Sequence, residues 1–326
     1  AKVDKEAYAA AVDLLIKSRK DKKADQRGNF RALQDYGMYG PYNSTRNMLS
    51  EQQLKSMDPQ KLLDSLKKLK NYKQTVLYYG PSSIKDIDNL LAKTFKTTKK
   101  FAPLPKEKRY VLQTTPKNEI LIAPYDAKNI YMVQFHNENK EWTPNDAAKI
   151  SVFNEYFGGG MNAIVFQEMR EARALAYTAS ARYHMPSRLG DKEYFNTFII
   201  TQNDKMMDCV AQFNDLLNNV PVRQANFDLA KQNLLKSLAS TRTTKFSILS
   251  AYMAAQKMGL DYSLSEKIYK DLPSVTLNDI INFEKTNMAN KTFKYLILGN
   301  EKELDIKALE KIAPVKRVTT EEIFGY

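Results

Sequence analysis

The chain has 326 residues, of which 43% are hydrophobic and 27% charged, the balance of a folded rather than a disordered protein. At roughly 100–200 residues per domain it predicts two domains. A single cysteine, Cys209, excludes an intrachain disulfide, and two histidines, His136 and His184, leave too little imidazole for a self-contained histidine-ligated zinc enzyme.

The net charge of +13 raises the question of a nucleic-acid partner. Lysines such as Lys61, Lys67, Lys68 and Lys70 fall in mixed, solvated faces, and the densest basic stretch, Lys96–Arg109, is interrupted by Pro103 and Pro105. No basic face is interleaved with aromatics in a recognisable module, so no nucleic-acid partner is expected. No run of about 18 apolar residues is present, so no membrane-spanning helix is expected either. Ala1–Tyr8 lacks the basic and apolar regions of a signal peptide, which leaves the compartment open.

In chain order, Lys5–Lys22 reads as a helix, with Ala9, Val12, Leu15 and Ile16 at helical spacing. Gln26–Asp35 reads as a second, stopped by Gly37, Gly40 and Pro41. A third is expected near Ser44 and a fourth at Asp58-Pro59, where Asp can accept from free amides and Pro loses no bond in the first turn. Leu62, Leu63, Leu66 and Leu69 are its expected buried face. Gln74–Tyr79 reads as a strand ending at Gly80-Pro81, and Ile84–Phe95 as a helix.

Phe101–Lys108, with two prolines and several charges, reads as a linker. Beyond it Glu119–Tyr125 and Ile130–Glu138 are expected strands around an Asp126–Asn129 turn. Thr143-Pro144 starts a helix whose apolar face is Ala147, Ile150, Phe153, Tyr156 and Phe157. Gly158-Gly159-Gly160 ends it as a tight turn, and a second helix runs over Asn162–Glu171. Strands are expected at Leu175–Tyr183 and Glu193–Thr201, helices over most of Asp204–Asn287, a strand at Thr292–Leu298 and a helix from Leu304. Cys209, among Val210, Phe213, Leu216 and Leu217, reads as core, and Trp142 as a staple on the helix it precedes. His136 reads as a strand residue and His184 as a loop residue.

The two ends of the chain resemble each other. Leu49-Ser50-Glu51 matches Leu264-Ser265-Glu266, Asp58 matches Thr276 as a helix cap, and Leu62-Leu63 matches Ile280-Ile281. Val76-Leu77-Tyr78-Tyr79-Gly80 matches Tyr295-Leu296-Ile297-Leu298-Gly299. The offset stays near about 218 residues, domain-sized rather than solenoid-sized. Only the second copy has strands ahead of it, so the first copy is an incomplete domain. The expected organisation is an incomplete domain at 1–98, a linker at 99–116 and a complete domain at 117–326. A half-domain would expose a sheet edge and an apolar face, so the chain is expected to be part of something longer or to pair with another chain.

The stretch richest in chemistry is Phe157–Tyr177, a glycine turn feeding a helix that carries Arg170 near its end and then a strand carrying Tyr177. Arginine offers a fixed fork of donors, and a phenol is a neutral donor for an oxyanion. Set across a helix-to-strand corner, both can aim at one point. Arg170 can equally serve as a cation at a helix C-terminus and Tyr177 as a packing residue. Glu168 and Glu171 read as salt-bridge partners.

This block, with its glycine turn followed by Arg170-Glu-x-Arg-x-Leu-Ala-Tyr177, resembles the pitrilysin/insulinase-type zinc metallopeptidases, which include the mitochondrial processing peptidase. The likeness covers nearly the whole chain. It implies an α+β fold of clamshell-type domains, antiparallel-rich sheets packed by helices, with one partial and one complete repeat. It implies the metal-free C-terminal half of a zinc endopeptidase that encloses peptide substrates, with Arg170 and Tyr177 supporting substrate and transition state. The zinc motif His-x-x-Glu-His is absent here, so zinc is expected on the missing metal-binding half, in the same polypeptide or a partner subunit, and this chain alone is expected to be inactive. The same family contains subunits that keep the fold and serve as inert structural cores. By resemblance, a bacterial periplasm or cell envelope is the expected setting. Ala174 departs from the family, which commonly has glycine there.

Overall fold

The computed structural model of the protein describes residues 2–94 and 100–326. They form two units: Ala1–Asp21, Met48–Arg109 and Thr243–Ala251 make the first, and Lys22–Asn47, Tyr110–Arg242 and Tyr252–Tyr326 the second. The expected helix end at Phe95 and the linker's first residue, Lys99, lie outside the described residues.

The chain opens with α1 (Lys5–Ala24) and α2 (Gln26–Tyr39). Asp25 caps α2 by accepting from the Gly28 N–H. The helix runs through Gly37, where a Cβ would lie 2.2 Å from the Leu296 side chain, and stops at Gly40, whose φ is 77°. The third helix begins later than Ser44. Ser44 and Thr45 donate their hydroxyls to Asp35, and α3 (Glu51–Ser56) starts at a capping box of Ser50 and Gln53. Asp58-Pro59 opens α4 (Pro59–Lys68), and α5 (Ile84–Thr94) follows.

Two expectations fail in the first unit. Gln74–Tyr79 is not a strand, and Leu62, Leu66 and Leu69 are exposed. Both failures have one cause. A strand must bond its N–H and C=O groups to a neighbour, and a helix face needs a sheet to cover. Among the described residues this unit has no other strand. Its small core is Val12, Ile16 and Leu54, closed by Tyr8, whose hydroxyl donates to the Leu54 carbonyl at 2.6 Å.

The rest of the chain runs β1 (Glu119–Pro124), β2 (Asn129–His136), α6 (Ala147–Phe153), α7 (Ile164–Phe166), β3 (Thr178–His184), β4 (Tyr194–Gln202) and α8 (Met206–Asn218). It continues with α9 (Gln224–Ser240), α10 (Lys245–Lys257), α11 (Leu264–Asp271), α12 (Leu277–Asn287) and β5 (Lys294–Gly299). It closes with α13 (Ile306–Glu310), β6 (Val315–Arg317) and α14 (Thr320–Phe324). The second unit is built on a mixed six-stranded sheet in the order β3-β4-β2-β5-β1-β6. β5 lies in its interior, antiparallel to β2 and parallel to β1. β6, three residues long, had no signal in the sequence; it pairs in parallel with β1.

The alternation of a strand sends successive side chains of β5 to opposite faces. Tyr295 and Ile297 join Phe153, Phe157, Phe213 and Ile280 in one core. Leu296 and Leu298 join Phe30 and Leu33 of α2 and Phe324 of α14 in the other. The sheet is thus covered on both faces, which is why β5 has no exposed residue.

Candidate functional site

The glycine turn shapes one edge of this sheet. After α6 the helix widens into a π turn over Asn154–Gly158. β3 is one of the sheet's two edge strands, and Asn154 satisfies part of that edge: its amide donates to the Tyr183 carbonyl at 2.9 Å and accepts from the Tyr183 N–H at 2.8 Å. Gly158 packs directly on β3, since a Cβ there would lie 2.0 Å from the Ala181 carbonyl oxygen. Gly160 faces open space. Between turn and strand lies a groove of about 560 Å³, lined by Glu155, Gly160, Met161, Phe166, Ser180 and Arg182 among others. Burial pushes the Glu155 carboxyl up from its ordinary range.

Arg170 and Tyr177 come together beside this groove. Arg170 is on a second π turn, Gln167–Glu171, that continues α7. The chain reverses at Ala174, whose φ is 50°, in the left-handed region. Its N–H bonds to the Arg170 carbonyl at 3.0 Å, and the Leu175 N–H bonds to the Met169 carbonyl at 2.8 Å. Glycine is the residue that adopts this conformation without penalty, so Ala174 carries a strain there. Tyr177 then enters the sheet, its N–H donating to the Ile200 carbonyl at 2.9 Å. The Arg170 guanidinium lies 5.7 Å from the centre of the Tyr177 ring and 5.0 Å from that of Phe166. Stacking of this kind holds an exposed guanidinium by about 0.5–1 kcal/mol. Among the described residues its carboxylate contact is a loose one, 3.9 Å to Glu171, which leaves the donor fork available. Tyr177 is 75% exposed. Phe166 was missed from the sequence; its i,i+4 spacing to Arg170 on a helix is the signal that could have found it.

The other candidates are structural. Glu168 pairs with Arg223 and, at 3.9 Å, with Arg173. His136 ends β2 with Nδ1 2.6 Å from the Thr292 carbonyl and Nε2 2.8 Å from Glu138. His184 is a strand residue, not a loop residue. It stacks on Tyr194 at 4.2 Å, and burial lowers its pKa to about 4, so it is neutral at pH 7. Cys209 is buried, and burial raises its thiol to about 11. Trp142 packs against the main core. Among the described residues no three His, Cys, Asp or Glu side chains group so as to hold a metal ion, so these residues do not fit a zinc site. Among them, too, no helix is long and apolar enough to cross a membrane. One unusual group had no sequence signal. Glu284 of α12 is fully buried, neither carboxylate oxygen has a hydrogen-bond partner, and burial raises its pKa to about 7.

The sequence profile of the family described as "Peptidase M16 inactive domain" matches residues 56–234, more than half of the chain. The chain belongs to the peptidase M16 family. Solved structures share its fold. The peptidase M16 inactive domain from Pseudomonas fluorescens superposes with a TM-score of 0.66 at 17% identity, over 90% of this chain and 71% of that one. The periplasmic protease PqqL from Escherichia coli gives 0.68 at 13% identity, over 92% of this M16 chain but only 33% of its own. A chain of complex III2 from Candida albicans gives 0.60 at 14% identity, over 93% of this chain and 74% of that one. No curated protein matches the sequence.

Proposed function

We propose that this M16 inactive domain is the metal-free half of a zinc endopeptidase and lends Arg170 and Tyr177 to an active site whose metal and general base lie on another half. The observation that carries this is the pairing of the two side chains across the helix-to-strand corner, 5.7 Å apart, beside a groove along a sheet edge. In this reading the Arg170 fork donates to a substrate backbone carbonyl, and the Tyr177 hydroxyl donates to the oxygen that gains charge as the peptide bond is attacked. Phe166 positions the guanidinium without touching substrate. The Pseudomonas fluorescens and PqqL folds support a peptidase-like half.

The test is peptide cleavage by this chain assembled with its metal-bearing half. Arg170→Ala and Tyr177→Phe should each lower kcat by about 100-fold or more while bound zinc stays constant. Arg170→Lys, which keeps the charge but loses the fork, should recover only part of the rate. Activity equal to wild type in all three variants sinks the assignment. The second reading is then an inert structural or partner-binding subunit, favoured by the family's description as inactive and by the fold shared with a complex III chain.

A further inference from the structure

Three lysines, Lys117, Lys294 and Lys316, line one cavity of the second unit. It lies near the edge of the sheet opposite β3 and holds about 570 Å³. The face it opens on is elsewhere apolar: Leu121, Ala123, Leu296 and Leu298 are buried there with α2 and α14. Strand alternation puts Lys294 on the same face as Leu296. The register pairs Glu119 with Lys294 and Lys316 with Leu121, which brings all three charged residues to that face. The face therefore turns basic at one end, where α2 stops and Tyr36, Gly40 and Pro41 form the cavity wall.

An ammonium placed in a sheet is costly unless it is paired. Lys294 is 6% exposed, and its Nζ donates to Gln113 Oε1 at 2.8 Å and lies 3.2 Å from Glu119 Oε2. An ammonium has three donors, so one remains for a ligand. Lys117 and Lys316 are exposed, and among the described residues neither makes an ion pair. Three lysines against one glutamate leave positive charge in excess around a concave site, and such a site concentrates its field on an anion. The remaining wall is apolar, with Tyr36, Pro41, Leu121 and Pro314.

We infer that this cavity binds a small organic anion with at least two negatively charged oxygens, a phosphate ester or a polycarboxylate. Its charged end meets Lys117, Lys294 and Lys316, and its carbon skeleton lies against Tyr36 and Pro314. Lysine suits either chemistry, because it acts as a point charge and needs no matching planar fork. The volume falls in the range of about 300–1,000 Å³ typical of small-molecule sites. The inference uses neither Arg170 nor Tyr177, so it stands or falls apart from the peptidase reading.

Isothermal titration of the 326-residue chain with inorganic pyrophosphate and with citrate tests it, at ionic strength held constant with sodium chloride. At least one of the two should bind once per chain with a Kd below about 1 mM. The double variant Lys117→Ala/Lys316→Ala should weaken that binding by about 10-fold or more. Both side chains are exposed, so this variant should fold; Lys294 is left in place because it is part of the packed sheet. The double variant Lys61→Ala/Lys67→Ala removes the same charge from a solvated face and should change Kd by less than about 2-fold. Tighter binding of pyrophosphate points to a phosphate ester, and tighter binding of citrate to a polycarboxylate. No saturable binding of either anion overturns the inference. So does binding that both double variants keep or lose alike, which would be diffuse attraction to a chain of net charge +13.

Discussion

Residues 76–80 and 295–299 carry nearly the same pattern, Val-Leu-Tyr-Tyr-Gly against Tyr-Leu-Ile-Leu-Gly, yet only the second is a strand. The helix before each shows the same contrast with a twist. At the position where α12 buries Glu284 without a partner, the repeat places Leu66 of α4, which is 64% exposed. The copy with a sheet hides a carboxylate, and the copy without one shows a leucine to water. Side-chain pattern sets what an element can become; a partner with open hydrogen-bonding groups sets whether it does. The same residue type should therefore have very different energetic weight in the two regions.

The largest difference is expected between Leu296→Ala and Leu77→Ala. Leu296 is fully buried against α2, so its truncation should cost about 3–5 kcal/mol. Leu77 has no ladder or core to lose in this chain, and its truncation should stay within about 0.5 kcal/mol. Urea denaturation midpoints measure both, and equal effects would break the comparison.

The glycine turn offers the same contrast at closer range. Gly158→Ala would drive a Cβ to 2.0 Å from the Ala181 carbonyl oxygen and should cost about 2–3 kcal/mol. Gly160→Ala, with nothing within 4 Å, should change stability by less than about 0.5 kcal/mol. Thermal melts of the two variants would show whether closeness to β3, rather than glycine content, controls the turn.

Glu284 turns the comparison into a pH dependence. Its folded pKa is raised to about 7 by burial, so the native state holds its proton more tightly than the unfolded chain does. Its contribution is fully present below the unfolded carboxylate range and is lost as pH rises through about 7. Glu284→Gln should match wild type near pH 5 and exceed it by about 1–3 kcal/mol near pH 8. A stability difference that does not change between these pH values would show that the carboxylate is not held neutral.

The smallest effect is expected at the corner between Arg170 and Tyr177. Ala174→Gly removes the left-handed strain at φ 50° but adds chain entropy to the unfolded state, for a net gain of about 0.5–1 kcal/mol. A melting temperature that falls instead would mean the alanine methyl makes a contact worth more than the strain.

Much of this was legible before the fold was known. The caps at Asp58-Pro59, Thr143-Pro144 and Thr276 act within a few residues, and each starts a helical segment where expected. Strands β1 to β5 of the second unit were visible as short β-branched and aromatic runs, whereas β6 was not. Of the candidate site, the Arg170–Tyr177 spacing was legible because one helix-to-strand corner holds both. Phe166 beneath the guanidinium was missed although its i,i+4 spacing to Arg170 carried it, whereas Asn154 on the edge of β3 was not legible, because its partner is set by a π turn that no periodicity announces.

By itself the sequence determined the helix caps, the order of elements, the duplicated pattern and the membership of Arg170 and Tyr177 in one corner, all of which depend on neighbours close along the chain. The tertiary structure alone decided that β5 becomes a strand and residues 74–79 do not, that β6 joins the sheet, that His184 lies in β3, and that Glu284 is sealed away from water. Those outcomes rest on hydrogen-bond ladders and covered faces supplied by residues far away in sequence, and a local pattern does not specify whether such a partner is there.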